Sequence, residues 1–281
     1  MGINDVKLEE GVLRFSSKDH LQNVIGELSK ATDIVHWFPN TAFISLLQLQ
    51  ESITESDYDR IGETGELGEM ENVLTFRGVG ENKSLNKIIE DSRFAAVLNS
   101  SGFVIVADTA YKIEENQVLL LPLNSKNKLS DFLLNKESTE VIHKPIEVVL
   151  TTSNGLKNAR LQDFTHEYDP AGGVKRRFIA EFIHTNTVVY HSLVVKIKHQ
   201  KKNWVGWSAS TAPRISFTAS GTFWQGTYYQ QFPFNGARDA NNVDEQSYFV
   251  TESYGAASDW VYTAGNAYVV QVDGVHKQFY F

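Results

Sequence analysis

The chain contains no cysteine. That absence excludes a disulfide framework, thiolate zinc sites, iron–sulfur ligation and a cysteine nucleophile. No apolar run reaches the roughly 18 residues that a membrane-crossing helix needs. Met1-Gly2-Ile3 is not followed by the apolar core of a signal peptide, so none is visible. Positive charge is scarce as well: up to Lys144 there are 14 basic against 23 acidic residues, and beyond it 12 against 11. Nucleic-acid scaffolds want clustered basic surface, so no nucleic-acid partner is expected.

The common catalytic and metal motifs are missing too. Arg77–Ser84 (RGVGENKS) has the Lys-Ser ending of a phosphate-cradling loop, but Asn82 and Arg77 stand where the glycines belong. It reads instead as a helix capped by Ser84. The eight histidines show no HExxH or comparable ligand pair. The densest polar cluster, His166-Glu167-Tyr168-Asp169, reads as a loop entering Pro170. Gly206-Trp207-Ser208-Ala209-Ser210 begins like a nucleophile elbow but ends in serine. Asp239, Asp244 and Glu245 are candidate calcium ligands, yet the central glycine and alternating oxygens of a calcium loop are absent. No cofactor, metal site or catalytic residue is expected.

What is present is a change of period along the chain. Gly11–Phe15 reads as a strand, followed by a helix capped by Ser16 or Ser17, with Leu21, Val24, Ile25 and Leu28 at helical spacing. Phe43, Leu46, Leu47 and Ile53 mark a second helix, and Gly62, Gly65 and Gly68 among glutamates read as a flexible acidic loop. Val73–Phe76 reads as a short strand. Arg93–Leu123 then yields three strands: Phe103–Val106, dense enough in β-branched residues to be buried on both faces, Tyr111–Ile113, and Val118–Leu121 ended by Pro122. A three-strand meander is stable only with something packed on it.

From Ile146 the pattern becomes strands separated by Gly- and Asn-rich breaks: 146–150, 177–183, 188–197, 215–217, 248–250, 260–262, 267–272 and 278–281. The expected organisation is an α+β domain over 1–124 (helices packed on a small antiparallel meander), a linker with a short helix over 125–145, and an all-β, sandwich-like domain over 146–281. In Lys196–Lys202, alternation places Val195 and Ile197 inward and the lysines outward.

The remaining signal is aromatic. Trp204, Trp207, Phe223, Trp224, Tyr228, Tyr229, Phe232 and Phe234 cluster with Gln225, Gln230, Gln231 and Asn235 interleaved. Aromatic platforms flanked by amides suit stacking on sugars or docking a protein; the alternative is that alternating members fill a β core. Trp204, Trp207, Trp224, Tyr228 and Tyr229 are the candidate ligand-binding residues.

GVLRF (Gly11–Phe15), SSKDHLQNVIGELS (Ser16–Ser29) and RFAAVLNSSGFVIVADTAYKI (Arg93–Ile113), with Leu98-Asn99, Gly102, Asp108 and Tyr111-Lys112, resemble a family of uncharacterised, exported, often lipid-anchored Bacteroidetes proteins. The resemblance covers the first half well and the second loosely. It implies an extracytoplasmic location, in the periplasm or at the outer-membrane surface, with a lipid anchor on the precursor as the sole membrane attachment; it implies no activity. The resulting expectation is a noncatalytic exported or cell-surface protein that binds a glycan or protein. The alternatives are an enzyme of unrecognised type such as a glycan hydrolase, a protease-inhibiting domain, or a phage or cell-surface structural protein.

Overall fold

A computed structural model describes residues 5–31, 33–123, 126–135, 140–145, 149–150, 164–170, 173–225, 230–253, 260–262 and 267–280. The first half runs β1 (Lys7–Glu9), β2 (Val12–Phe15), α1 (Lys18–Leu28), α2 (Leu46–Ser52), α3 (Glu55–Thr64), β3 (Leu74–Arg77), β4 (Ser84–Lys87), α4 (Ser92–Val97), β5 (Phe103–Val106), β6 (Thr109–Ile113), β7 (Gln117–Pro122), α5 (Lys126–Leu133) and β8 (Ile142–Pro145). The second half is strands: β9 (Val149–Leu150), β10 (Thr165–Tyr168), β11 (Arg176–Asn186), β12 (His191–Lys202), β13 (Trp207–Ala209), β14 (Ala212–Gln225), β15 (Gln230–Val243), β16 (Glu245–Ser253), β17 (Trp260–Tyr262), β18 (Ala267–Val272) and β19 (Val275–Tyr280). The protein is mostly β, with its strands in several sheets.

The first sheet has the order β1-β2-β5-β6-β7-β8. It is antiparallel except where β2 and β5 meet, at Arg14↔Ile105 and Phe15↔Val106. Helices cover both of its faces. On one side α1 presents Leu21, Val24, Ile25 and Leu28, all essentially fully buried, at the spacing expected of an amphipathic helix. Burying each such side chain contributes about 1.5–3 kcal/mol relative to exposure. Ser17 caps α1 by accepting from the His20 amide at 3.1 Å. On the other side α5 sets Leu129 and Phe132 against Phe103 and Ile105. β5 thus sends Val104 and Val106 into one core and Phe103 and Ile105 into the other, the two-faced burial its composition predicts.

Helices α2 and α3 start in capping boxes, Ser45 with Gln48 and Thr54 with Asp57. α3 occupies part of the segment expected to be a flexible loop. Gly62 lies inside that helix, and Gly65 ends it in a left-handed conformation. Ser84 likewise starts a strand where a helix was expected: β4 is buried at all four positions and pairs with β3.

The second sheet runs β10-β11-β12-β13-β4-β3, with β16 also on β12 and β9 on β11. Strands from the first half therefore extend a sheet made by the second. The junction is a parallel bridge, Trp207↔Ser84, supported by the Trp207 amide donating to the Lys83 carbonyl at 2.9 Å. His166–Tyr168, expected as a loop, lies in β10 and pairs in register with Arg176–Phe178. A third sheet, β15-β14-β18-β19 with β17 on β14, is built around the long β14–β15 hairpin. Phe178, Phe182, Leu193, Val195 and Ile197 of the second sheet meet Ile215, Phe217, Phe234, Val270 and Phe279 of the third in one core, a sandwich-like arrangement.

β12 is covered on both faces. Val195 and Ile197 enter the sheet-to-sheet core as expected. Lys196 and Lys198, expected in solvent, are 1% and 6% exposed. The physical reason is tertiary: β4 and the Glu90-Asp91 turn from the first half lie over the face to which these lysines point.

Candidate functional site

The turn from β12 to β13, Asn203-Trp204-Val205-Gly206, is pinned from several directions. The Asn203 amide donates to the Gly206 carbonyl at 2.8 Å, and the Val205 amide to the Gly62 carbonyl of α3 at 3.0 Å. Two glycines allow this approach. A Cβ on Gly62 would lie 2.1 Å from the Asn203 side chain, and one on Gly206 would lie 2.3 Å from the Lys83 carbonyl oxygen. The neighbouring β3–β4 turn joins the same structure: the Glu81 carbonyl accepts from Trp207 Nε1 at 2.8 Å and from Lys202 Nζ at 3.1 Å. The segment entering β11 adds a third piece through the Lys202 amide, which donates to the Lys175 carbonyl at 2.8 Å.

Each of these three segments carries an exposed apolar side chain: Trp204 at 87%, Val79 at 85% and Val174 at 56%. Single exposed apolar residues are ordinary; these three lie on segments joined to one another by the hydrogen bonds above. The tryptophan is held on a turn whose backbone is already ordered, so little further ordering is needed to bind through it.

Of the five aromatic residues expected to form a platform, the structure describes Trp204, Trp207 and Trp224, and their exposures differ. Trp207 is buried, 3% exposed, between the Arg177 guanidinium at 4.3 Å and the Lys202 ammonium at 5.0 Å from its ring. Its ring N–H is satisfied by Glu81, so it is a packing residue that fixes the turn. Trp224 is partly buried on β14, opposite Gln231 and Val261 in the third sheet, whereas Trp204 caps one end of the second. Tyr228 and Tyr229 lie outside the described residues. Phe223 and Phe234 are core. Val79 and Val174 carried no signal in the sequence: each is an isolated valine beside glycine, and only the fold joins their segments to the β12–β13 turn.

Sequence reasoning also missed a buried charged seam behind this end of the sheet. Glu90 sits at its centre, with Lys198 Nζ 2.6 Å from Oε1, Arg77 Nη1 3.2 Å from Oε1 and Lys196 Nζ 3.0 Å from Oε2. Burial alone would raise the Glu90 pKa; Lys198, Lys196 and Arg77 outweigh it and hold the carboxyl well below its ordinary range. Lys196 also donates to the Glu90 carbonyl at 2.9 Å and reaches Glu245 Oε1 at 3.1 Å. Lys198 donates to Asn86 Oδ1 at 3.1 Å and lies 3.0 Å from Glu181 Oε2. An ammonium has three donors; Lys196 spends all three on Glu90 and Glu245, and Lys198 spends two on Glu90 and Asn86 beside the Glu181 carboxylate. Beside Glu90, Asp91 caps α4 through the Arg93 and Phe94 amides and accepts from the Tyr190 and Ser192 hydroxyls.

The seam opens into a polar cavity of about 160 Å³ lined by Glu51, Glu55, Tyr58, Lys87, Ser210 and Asp244. Lys87 bridges Glu245 at 3.1 Å and Glu51 at 3.4 Å. Burial, then Glu245, raises the Asp244 pKa, while burial opposed by Lys196 and Lys87 leaves Glu245 lowered to about 2. Glu245 is thus an ion-pair partner, and Asp239 pairs with Arg214 at 2.6 Å. The candidate calcium set is dispersed, and among the described residues no group of three or more His, Asp and Glu is placed to hold a metal ion.

His199 is satisfied as well. Its Nδ1 lies 2.6 Å from the Ser210 carbonyl, to which it donates, and its Nε2 lies 2.8 Å from the Tyr168 hydroxyl, which is also 3.2 Å from Asp273 Oδ2. Burial lowers its pKa against the opposing Ser210 contact, consistent with a neutral structural imidazole. Among the described residues, no helix is long and apolar enough to cross a membrane.

No protein-family model matches the chain, and no curated protein matches it. Among solved structures, the chain is similar to a DUF4848 family protein from Bacteroides thetaiotaomicron, at 10% sequence identity and a TM-score of 0.31, with 99% of this chain and 100% of that chain covered.

Proposed function

We propose that the protein is a noncatalytic binding protein of the cell envelope, an α+β unit followed by a sandwich-like β unit, which engages a protein partner through the Trp204 turn. The observation that carries this reading is Trp204 itself, 87% exposed on a turn whose backbone is tied to α3 and β4. Tryptophan anchors of this kind dominate the energetics of protein contacts. The aliphatic neighbours Val79 and Val174 complement a protein surface better than a sugar, whose hydroxyls ask for amides and acids beside the aromatic ring.

Glycan binding is the second reading, favoured by the near-complete exposure of one flat indole, which suits stacking on a sugar face. The same experiment separates the two. The intact protein and its Trp204→Ala variant are titrated against a polysaccharide panel and against purified envelope proteins of the native cell. Saturable binding to one envelope protein, weakened about 30-fold or more by the substitution, is the expected outcome for an anchor worth at least ~2 kcal/mol. Trp204-dependent binding to polysaccharide alone would replace the protein reading with the glycan one. Binding that Trp204→Ala leaves unchanged would reject both.

A further inference from the structure

The polar cavity beside the seam carries unused hydrogen-bonding capacity. It measures about 160 Å³, room for roughly five waters at ~30 Å³ each. Its lining runs from exposed Glu51, Glu55 and Thr211 to buried Tyr58, Lys87 and Ser210, with Asp244 intermediate. Three carboxylates, Glu51, Glu55 and Asp244, face one ammonium, Lys87.

Two of the carboxylates are engaged. Glu55 accepts from Lys201 at 2.9 Å and from the Ser210 hydroxyl at 3.3 Å, and Glu51 lies 3.4 Å from Lys87 Nζ. Lys87 turns its shorter contact, 3.1 Å, to Glu245. Asp244 is left over: among the described residues no side chain donates to its carboxylate or pairs with it. Burial, then Glu245, raises its pKa despite Lys87, as happens when a carboxylate's charge is poorly compensated.

Tyr58 gives an independent sign. It is 6% exposed, its ring belongs to the core that α1 helps to form, and its hydroxyl makes no hydrogen bond among the described residues. Burial raises its pKa, and the charges of Lys87, Asp244 and Glu245 act on the same group. The phenol is therefore protonated, and its oxygen is the end of the side chain that meets the cavity. A buried hydroxyl without a partner is the exception in a folded protein; next to an uncompensated carboxylate it points to a ligand that donates to both.

A metal ion does not fit, because among the described residues no group of three or more His, Asp and Glu is placed to hold one. An ammonium needs only acceptors for its three N–H donors. We infer that this cavity binds a primary alkylammonium, with Asp244 as its counter-ion and the Tyr58 hydroxyl oxygen accepting a second N–H. The volume admits a free short-chain amine or the end of a lysine side chain from another protein. The cavity shares no lining residue with the Trp204 turn, and its ligand is independent of the role proposed for that turn.

The test uses the full chain at neutral pH and roughly 0.15 M salt, where attraction to exposed charges is screened. Calorimetric titration compares butylamine, Nα-acetyl-lysine methylamide (a lysine side chain on a peptide backbone) and butanol, the uncharged control. One-to-one binding of an amine is expected, with butanol at least about tenfold weaker, as loss of a charge-assisted contact implies. The tighter amine identifies the source: butylamine for a free amine, the lysine derivative for a protein side chain. Asp244→Asn and Tyr58→Phe are each expected to weaken amine binding about tenfold. Neither side chain has a hydrogen-bond partner in another described residue, so the melting temperature is expected to hold, and circular dichroism checks the fold. Failure of both amines to bind at roughly ten-millimolar concentration, or butanol binding as well as the amine, would overturn the inference. So would amine binding that either substitution leaves unchanged in a folded protein.

Discussion

Replacing Glu90 with glutamine removes one negative charge and leaves Arg77, Lys196 and Lys198 facing a neutral amide. The side chain keeps its size, so packing is nearly unchanged and the effect is electrostatic. Breaking a buried ion pair by removing one partner costs about 3–5 kcal/mol, because a charge is left in low dielectric without its counter-ion. Three cations share Glu90, while Glu245 and Glu181 still serve the two lysines, which keeps the expected loss within that range. For a chain of this length it corresponds to a melting temperature lower by roughly 6–10 °C. Urea denaturation of wild type and Glu90→Gln measures it directly. Glu9→Gln is the control, since its partner Arg14 is 28% exposed and surface pairs contribute about 0–1 kcal/mol.

The pH dependence has a definite sign. The folded pKa of Glu90 is depressed below its ordinary 4.5, so its contribution is complete above that value and is lost as the pH falls towards the folded pKa. Below pH ~4.5 the wild type therefore loses about 1.4 kcal/mol per pH unit from this one group, and Glu90→Gln does not. The stability gap between them should narrow in acid. A change below about 1 kcal/mol at neutral pH, or a gap that widens in acid, would refute the seam as the element joining the two halves.

Trp207→Ala should cost about 3–5 kcal/mol in denaturant unfolding, as a large core truncation does, whereas Trp204→Ala should change stability by less than about 0.5 kcal/mol; equal effects would contradict their opposite burial. Gly206→Ala should cost about 1–3 kcal/mol by forcing a Cβ against the Lys83 carbonyl, and unchanged stability would mean that β13 does not pair with β4. Asp91→Ala removes a helix cap worth about 1 kcal/mol and strands the buried Tyr190 and Ser192 hydroxyls at about 1–3 kcal/mol more. A total near zero would show that this carboxylate does not tie α4 to β12.

Local patterns carried well wherever one neighbour decides burial. The spacing Leu21-Val24-Ile25-Leu28 with a serine cap specifies α1, and the runs Phe103–Val106, Tyr111–Ile113 and Val118–Leu121 fall within β5, β6 and β7. Patterns failed where a distant segment supplies the other face. Lys196 and Lys198 alternate with valine and isoleucine, which in one dimension means a solvent face; only the fold shows Glu90 arriving from more than 100 residues away. Ser84–Lys87 has too little apolar content to read as a strand, because its burial comes from ion pairs and hydrogen bonds rather than from hydrocarbon. Glu55–Thr64 carries few apolar residues, so its capping box is the stronger signal of helix and the glycines at 62 and 65 are misleading. The aromatic cluster was visible as composition. Its division into an exposed Trp204 and a buried Trp207 depends on a turn whose shape is set by Gly62 and Gly206.

The most direct test of the proposed role is a binding titration of the intact protein and its Trp204→Ala variant against purified envelope proteins, with melting temperatures measured alongside. The account predicts a saturable partner whose affinity falls about 30-fold or more in the variant while the melting temperature stays within about 2 °C. Equal affinity in the two proteins, at equal stability, would contradict it.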